Sequence, residues 1–275
     1  MLNKKILFAL SFLSTSITAN TAENIQINTL KNSTLTVCTT GDYPPLTSYN
    51  IDTRQYEGFA PVVVKNFAKH MNLKLEFQKT TWQQLSSDLM AKKCDMAIGG
   101  ITYTEGRNDL FYLTEPIIKS QKAVLFTKEN AHLFKRFSDI DKRENVIIEN
   151  KGGTNEIYVN KIIKNADIKI IESNIAVFDC FEKYQEKPYA MITDSVEVEY
   201  RSNSSDSVFS NEGLNMELNH NPERYKVYMA NQTTKGKAII LAMNDFIRTH
   251  RKEVDHWFQE SLSGTYHEDE AVCPF

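Results

Sequence analysis

The spacing of apolar residues changes period repeatedly along this chain. Leu35-Thr36-Val37-Cys38-Thr39 predicts a first strand. From there Ala60, Val63, Val64, Phe67, Ala68 and Met71 recur at helical spacing, with Pro61 suited to a first turn. Leu73–Gln78 alternates and predicts a second strand, a helix opens at Trp82 and runs to Lys92, and Asp95–Ile98 is a third strand ending in Gly99-Gly100. A short helix near Glu105–Asn108 leads to a strand at Ala123–Phe126. After Lys128-Glu129-Asn130 the pattern restarts. It gives a strand at Val146–Ile148, a Gly152-Gly153 turn, a helix from Thr154, a strand at Ile168–Ile171, a helix from Asn174 to Tyr184 and a strand at Tyr189–Ile192. Arg201–Asn221 is polar and weakly patterned, Tyr225–Met229 is a further strand, and two helices, Lys235–Thr249 and Glu253–Leu262, follow.

Strands alternating with helices predict an α/β protein with mostly parallel sheets. Two such runs predict two lobes with a cleft between them. Residues 23–127 plus 228–275 form the first lobe, 128–227 the second, and the hinge lies near 124–130 and 222–231. Ligands of open α/β sheets lie beyond the carboxyl ends of the strands. The loops after Cys38, Ile98, Ile148 and Ile192 are therefore expected to face one another across the cleft.

Composition narrows the setting. Lys4-Lys5, the apolar run Ile6–Leu13 and small residues up to Ala19 and Ala22 predict a secretory signal over residues 1–22, cut after Ala19 or Ala22. The run is shorter than the ~20 residues a membrane span needs, so the protein is expected in the periplasm and not inserted in the membrane. Losing those two lysines takes the net charge from −3 to −5, and with no basic cluster this argues against nucleic acid as a partner. Cys38, Cys94, Cys180 and Cys273 allow two disulfides in any of three connectivities, or buried thiols. The histidines are scattered and no metal, phosphate-loop or serine-elbow motif occurs, so neither metal nor cofactor is expected.

The candidate chemistry lies in the strand-end loops. Gly99, Gly100, Thr102 and Arg107 form one anion-binding loop, where glycine lets backbone N–H groups approach and arginine offers a planar fork for a carboxylate. Gly152, Gly153, Thr154 and Asn155 form another, at a helix N-terminus. Trp82, Phe178 and Tyr43 are the aromatic candidates for holding a ring. Thr193-Asp194-Ser195-Val196-Glu197 puts two carboxylates one helical turn apart where a strand gives way to a helix. The ligand expected here is a small carboxylate or an amino acid.

Thr40-Gly41-Asp42-Tyr43-Pro44-Pro45, Tyr56-Glu57-Gly58-Phe59, Asp95–Thr102, and Arg107 ahead of Phe111-x-x-Thr-Glu-Pro116 resemble the periplasmic solute-binding proteins of family 3, the receptors of amino-acid ABC importers. The resemblance implies a two-lobe, type II binding-protein fold, with Arg107 on an α-carboxylate and Asp194 on an α-amine. Ala60-Pro61 departs from the family, which commonly has an acid at the first position. Within this superfamily, Thr39–Tyr43, Thr81-Trp82, Gly152-Gly153-Thr154-Asn155-Glu156, Asn174-x-x-Val177-Phe178 and Met191-x-Thr193-Asp194-x-x-Glu197 resemble the cyclohexadienyl dehydratases, exported enzymes on the same fold. That resemblance implies prephenate or arogenate as substrate, Glu197 as general acid, and Trp82, Asn155 and Phe178 around the ring. It further suggests that burial and nearby Asp194 keep Glu197 protonated near neutral pH. The alternative is a plain receptor that hands its ligand to an ABC permease.

Overall fold

The computed structural model describes residues 30, 32–183, 188–219, 221, 223–266 and 271–274. The expected signal segment, with its cut after Ala19 or Ala22, lies outside the described residues. No helix among the described residues is long and apolar enough to cross a membrane.

Two sheets carry the molecule. The first runs Lys74–Lys79, Thr34–Thr39, Met96–Ala97, Met229–Asn231, Phe111–Leu113. The second runs Asp167–Ile171, Val146–Asn150, Tyr189–Asp194, Lys122–Leu125. In each sheet the pairs formed by the early strands are parallel. The strands that enter from the crossing segments pair antiparallel, so both sheets are mixed rather than mostly parallel. The helix Phe59–Met71 follows the predicted period: Phe59, Ala60, Pro61, Val63, Val64, Phe67, Ala68 and Met71 are its buried residues. It packs into one core with the Thr234–Thr249 and Arg251–Ser263 helices. The second sheet is covered on both faces, by Val177, Phe178, Cys180 and Phe181 on one and by Tyr158, Val159 and Ile162 on the other.

Three expectations change. The strand expected to end the first unit, Ala123–Phe126, is Lys122–Leu125 and forms an edge of the second sheet. The crossing between sheets accordingly comes earlier in the chain than 124–130. The single strand expected at Tyr225–Met229 is two. Arg224–Lys226 pairs with Ile118–Ser120 in a two-stranded ribbon, and Met229–Asn231 pairs within the first sheet, because the chain crosses from one body to the other between them. The helix expected from Trp82 spans only Leu85–Met90, and Trp82 stands in the turn before it.

Two disulfides resolve the cysteine arithmetic. Cys38 pairs with Cys94 across a Cα separation of 5.6 Å, and Cys180 with Cys273 across 4.9 Å. The first joins the end of Thr34–Thr39, from which the Tyr43 loop departs, to the segment leading into Met96–Ala97. The second ties the Asn174–Lys183 helix to residues near the C-terminus, which thus reach the core of the second sheet.

Candidate functional site

The cleft closes over a small cavity lined by Tyr43, Trp82 and Gly100 from one side and Asn150, Gly152, Gly153, Thr154, Asn155 and Asp194 from the other. Within the first side a Cβ on Gly100, where φ is +78°, would sit 2.7 Å from the Tyr43 ring, and across the cleft one on Gly152, where φ is +83°, would sit 3.0 Å from the Gln83 backbone nitrogen. Glycine is required at both, for conformation and for approach.

Asp194 is the last residue of its strand and is almost fully buried. Its Oδ1 accepts from Lys122 Nζ at 3.0 Å, and its Oδ2 accepts from Lys226 Nζ at 2.5 Å and from the Tyr43 hydroxyl at 2.8 Å. Both lysine side chains are buried, at 0% and 4% exposure. Burial alone would push the Asp194 carboxyl up. The charges and hydrogen bonds of the two lysines outweigh it and hold the group well below the usual carboxylate range. Burial drives Lys226 down to about 8, with the Asp194 charge opposing.

The lysines are placed by the sheet geometry. Lys122 stands opposite Asp194 in the antiparallel pair, and Lys226 bridges to Thr102 at the end of the ribbon. Each also holds a strand-end loop. Lys122 Nζ donates to Thr154 Oγ1 at 3.3 Å and to Asn155 Oδ1, while Lys226 Nζ donates to the Gly100 carbonyl at 3.0 Å and to Thr102 Oγ1 at 2.9 Å. Sequence reasoning passed over both. The available signal was Lys122, set against the apolar Ala123-Val124-Leu125 of its strand, where a buried lysine is costly unless an acid faces it.

Glu197 is fully buried one helical turn beyond Asp194. Thr193 Oγ1 donates to its Oε2 at 2.5 Å, and Asn174 Nδ2 donates to its Oε1 at 3.0 Å. Thr193 Oγ1 accepts in turn from Asn155 Nδ2 at 3.2 Å. Burial pushes the Glu197 carboxyl up to about 7 against the Arg201 charge and these two donors, and the Asp194 charge adds a smaller push the same way. Glu197 is not among the residues lining the cavity, but its charge reaches the Tyr43 hydroxyl that does line it.

Of the other expected residues, Trp82 Nε1 donates to Asp42 Oδ1 at 3.0 Å and its ring meets Tyr43 edge-on at 5.6 Å. Arg107 Nη1 donates to the Thr102 carbonyl at 2.6 Å, and the Asp194 charge acts on its guanidinium. Thr154 and Thr102 meet across the cleft at 3.4 Å. Phe178 is not among the residues lining the cavity. Its ring faces Phe209 at 6.0 Å and carries the Arg201 guanidinium 3.5 Å above it, within the core of the second sheet. It lies one turn after Asn174, as Arg201 lies one turn after Glu197, so this pair packs beneath the acid rather than beside it.

Residues 35–268 match the bacterial extracellular solute-binding proteins, family 3. The chain belongs to this family. It is 29% identical to the cyclohexadienyl dehydratase of Pseudomonas aeruginosa over 173 residues, which is 63% of each chain. It is 27% identical to the L-cystine-binding protein TcyA of Bacillus subtilis over 140 residues, 51% of this chain and 49% of that one. A probable amino-acid ABC transporter-binding protein of Haemophilus influenzae is 30% identical over 144 residues, 51% and 55% of the two chains. The match thus spans less than two thirds of these relatives. Among solved structures, the ancestral amino acid-binding protein AncCDT-1, described as a precursor of cyclohexadienyl dehydratase, superposes with a TM-score of 0.73 at 23% identity, over 83% of this chain and 95% of that one. An amino acid ABC transporter substrate-binding protein, AbpA of Streptococcus pneumoniae bound to L-arginine, gives 0.72 at 15% identity over 84% and 94%. The family 3 solute-binding protein is thus an α/β protein of the two-lobe, type II kind.

Proposed function

We propose that this protein is an exported cyclohexadienyl dehydratase of the periplasm, with Glu197 as its general acid. The observation that carries the reading is the state of Glu197: a buried carboxyl, pushed up to about 7, one helical turn beyond the Asp194 that lines the cavity. A protein that only binds does not need such an acid. It costs stability at neutral pH and gains nothing for affinity.

The chemistry asks for one proton. Prephenate is a cyclohexadienol with a ring carboxylate and a pyruvyl side chain. Glu197 gives its proton to the 4-hydroxyl, the C–O bond breaks and water leaves. The bond to the ring carboxylate then supplies its electron pair to the ring, and carbon dioxide departs. Aromatisation drives the step, so a positioned acid, worth typically ~10²–10⁴-fold, together with orientation is enough. Arg107 and the Thr154 turn hold the carboxylates, and Tyr43, Trp82, Gly100, Thr102 and Asn155 shape the pocket.

Incubating purified protein with prephenate at neutral pH should yield phenylpyruvate, and Glu197→Gln should abolish it. Full turnover in that variant would overturn the assignment. The second reading, an amino-acid receptor serving an ABC permease, draws on the amino-acid-binding relatives. Against it, each oxygen of Asp194, the acid that would take the amine, already faces a lysine.

A further inference from the structure

We propose that the cleft selects a ligand with two carboxylates and no ammonium group, and that Lys122 and Lys226 impose this choice by occupying Asp194. The inference rests on the reading of this cleft as the substrate site, and in that setting it favours prephenate, an α-keto acid, over arogenate, its α-amino counterpart.

A buried acid recognises an amine when one of its oxygens is open to the incoming N–H donors. Both oxygens of Asp194 already face a lysine ammonium, so a ligand ammonium would have to share them. Oδ1 faces Lys122 at 3.0 Å, and Oδ2 faces Lys226 at 2.5 Å with the Tyr43 hydroxyl at 2.8 Å. A ligand ammonium arriving here would be a third cation packed against two buried ones. Like charges brought together in a water-poor cleft discriminate strongly against the wrong ligand.

The lysines are not side chains folded in from the rim. Each is fixed by its strand, Lys122 opposite Asp194 and Lys226 opposite Thr102, and each bonds a loop from a different side of the cleft. They therefore act from beneath the floor of the cavity. Two lysines pair with Asp194 among the described residues, and the Arg107 guanidinium feels the same carboxylate, so cations outnumber it here and the cleft suits an anionic ligand. The other acids nearby do not offer an amine site. Asp42 accepts from Trp82 Nε1, and Glu197 accepts from Thr193 and Asn174. Glu149 is fully buried in its strand, where burial pushes its carboxyl well above the usual range, and it is not among the residues lining the cavity.

The test measures binding and turnover separately. In the Glu197→Gln variant, which keeps the ligand intact, calorimetry should show prephenate binding at least about 100-fold more tightly than arogenate. Adding Lys226→Met frees Oδ2 and removes one cation, so the ratio should shrink by about tenfold or more, through weaker prephenate and stronger arogenate binding. Arogenate binding within about tenfold of prephenate in the Glu197→Gln protein would overturn the proposal, and so would a ratio unmoved by Lys226→Met in a protein that melts cooperatively. Should Lys226→Met fail to fold, the Glu197→Gln comparison decides alone. Turnover separates this inference from the dehydratase reading. Wild-type protein that prefers to bind prephenate yet converts neither compound sinks only the enzyme assignment. Comparable kcat/KM for both compounds sinks only the selectivity.

Discussion

The Thr193 hydroxyl donates to Glu197 Oε2 at 2.5 Å, from the strand to the first turn of the helix that follows it. This bond favours the ionised carboxyl, whereas burial favours the neutral one, and burial wins. The acid is thus held near the midpoint of its titration at neutral pH by burial on one hand and the Arg201 charge with the Thr193 and Asn174 donors on the other.

Removing the Thr193 hydroxyl should move the titration upward. In Thr193→Val the carboxyl loses a donor to its charged form while its burial is unchanged. The alkaline limb of kcat/KM, expected near pH 7 because only the protonated acid is competent, should shift up by roughly 0.5–1 unit. A pH–rate profile of the two proteins measures it. A limb that stays in place would show that the observed limb belongs to another group.

The same carboxyl links stability to pH. Its folded value of about 7 lies above the ordinary 4.5. Its contribution is therefore fully present below 4.5, declines as pH rises through this window because the unfolded chain ionises first, and is gone above 7. The loss is roughly 3 kcal/mol by linkage. Glu197→Gln cannot titrate, so its stability relative to wild type should rise by about this amount between pH 4.5 and 8. Urea unfolding of both proteins at the two pH values reads the difference, in which other titrating groups cancel.

Reduction should act first on the loop that presents Tyr43. Cys38 near the end of its strand is tied to Cys94 just ahead of Met96–Ala97, and the chain beyond Cys38 runs directly to Thr39, Thr40 and the Tyr43 turn. Replacing both cysteines by alanine should cost about 2–5 kcal/mol of stability. Hydrogen exchange should quicken across Thr39–Tyr43 more than in the second sheet, where Cys180–Cys273 is intact.

Local pattern made some of this legible and left the rest hidden. The Phe59–Met71 helix and the strand-end loops could be read because period and glycine position are properties of adjacent residues. Phe178 was misplaced because helical spacing tells that a face is buried, not whether core or cleft buries it. Lys122 and Lys226 escaped because nothing beside them in sequence is acidic. Their partner is brought in by an antiparallel register and by a ribbon crossing between the sheets. The acid at Glu197 was visible as a spacing, but its elevated titration depends on burial that only the closed cleft provides.

Asn174 offers a way to separate closure from acidity. Its Nδ2 donates both to Glu197 Oε1 at 3.0 Å and to the Asp42 carbonyl at 2.9 Å, so one amide ties the acid of the second body to the loop of the first. Asn174→Ala removes both bonds. Each hydrogen bond is worth about 0.5–1.5 kcal/mol, and more where the partner is charged. Two effects should follow together: KM for prephenate rises by roughly tenfold as the closed state loses a tether, and the alkaline limb moves up as in Thr193→Val. Thr193 bonds Asn155 and Glu197 within its own body, and its hydroxyl also meets the Tyr43 hydroxyl across the cleft. Its valine variant should accordingly move the limb, with a smaller rise in KM than Asn174→Ala gives. If Asn174→Ala shifts the limb but not KM, the bond to Asp42 contributes nothing to closure. If it changes KM alone, the bond to Glu197 does not govern the acid.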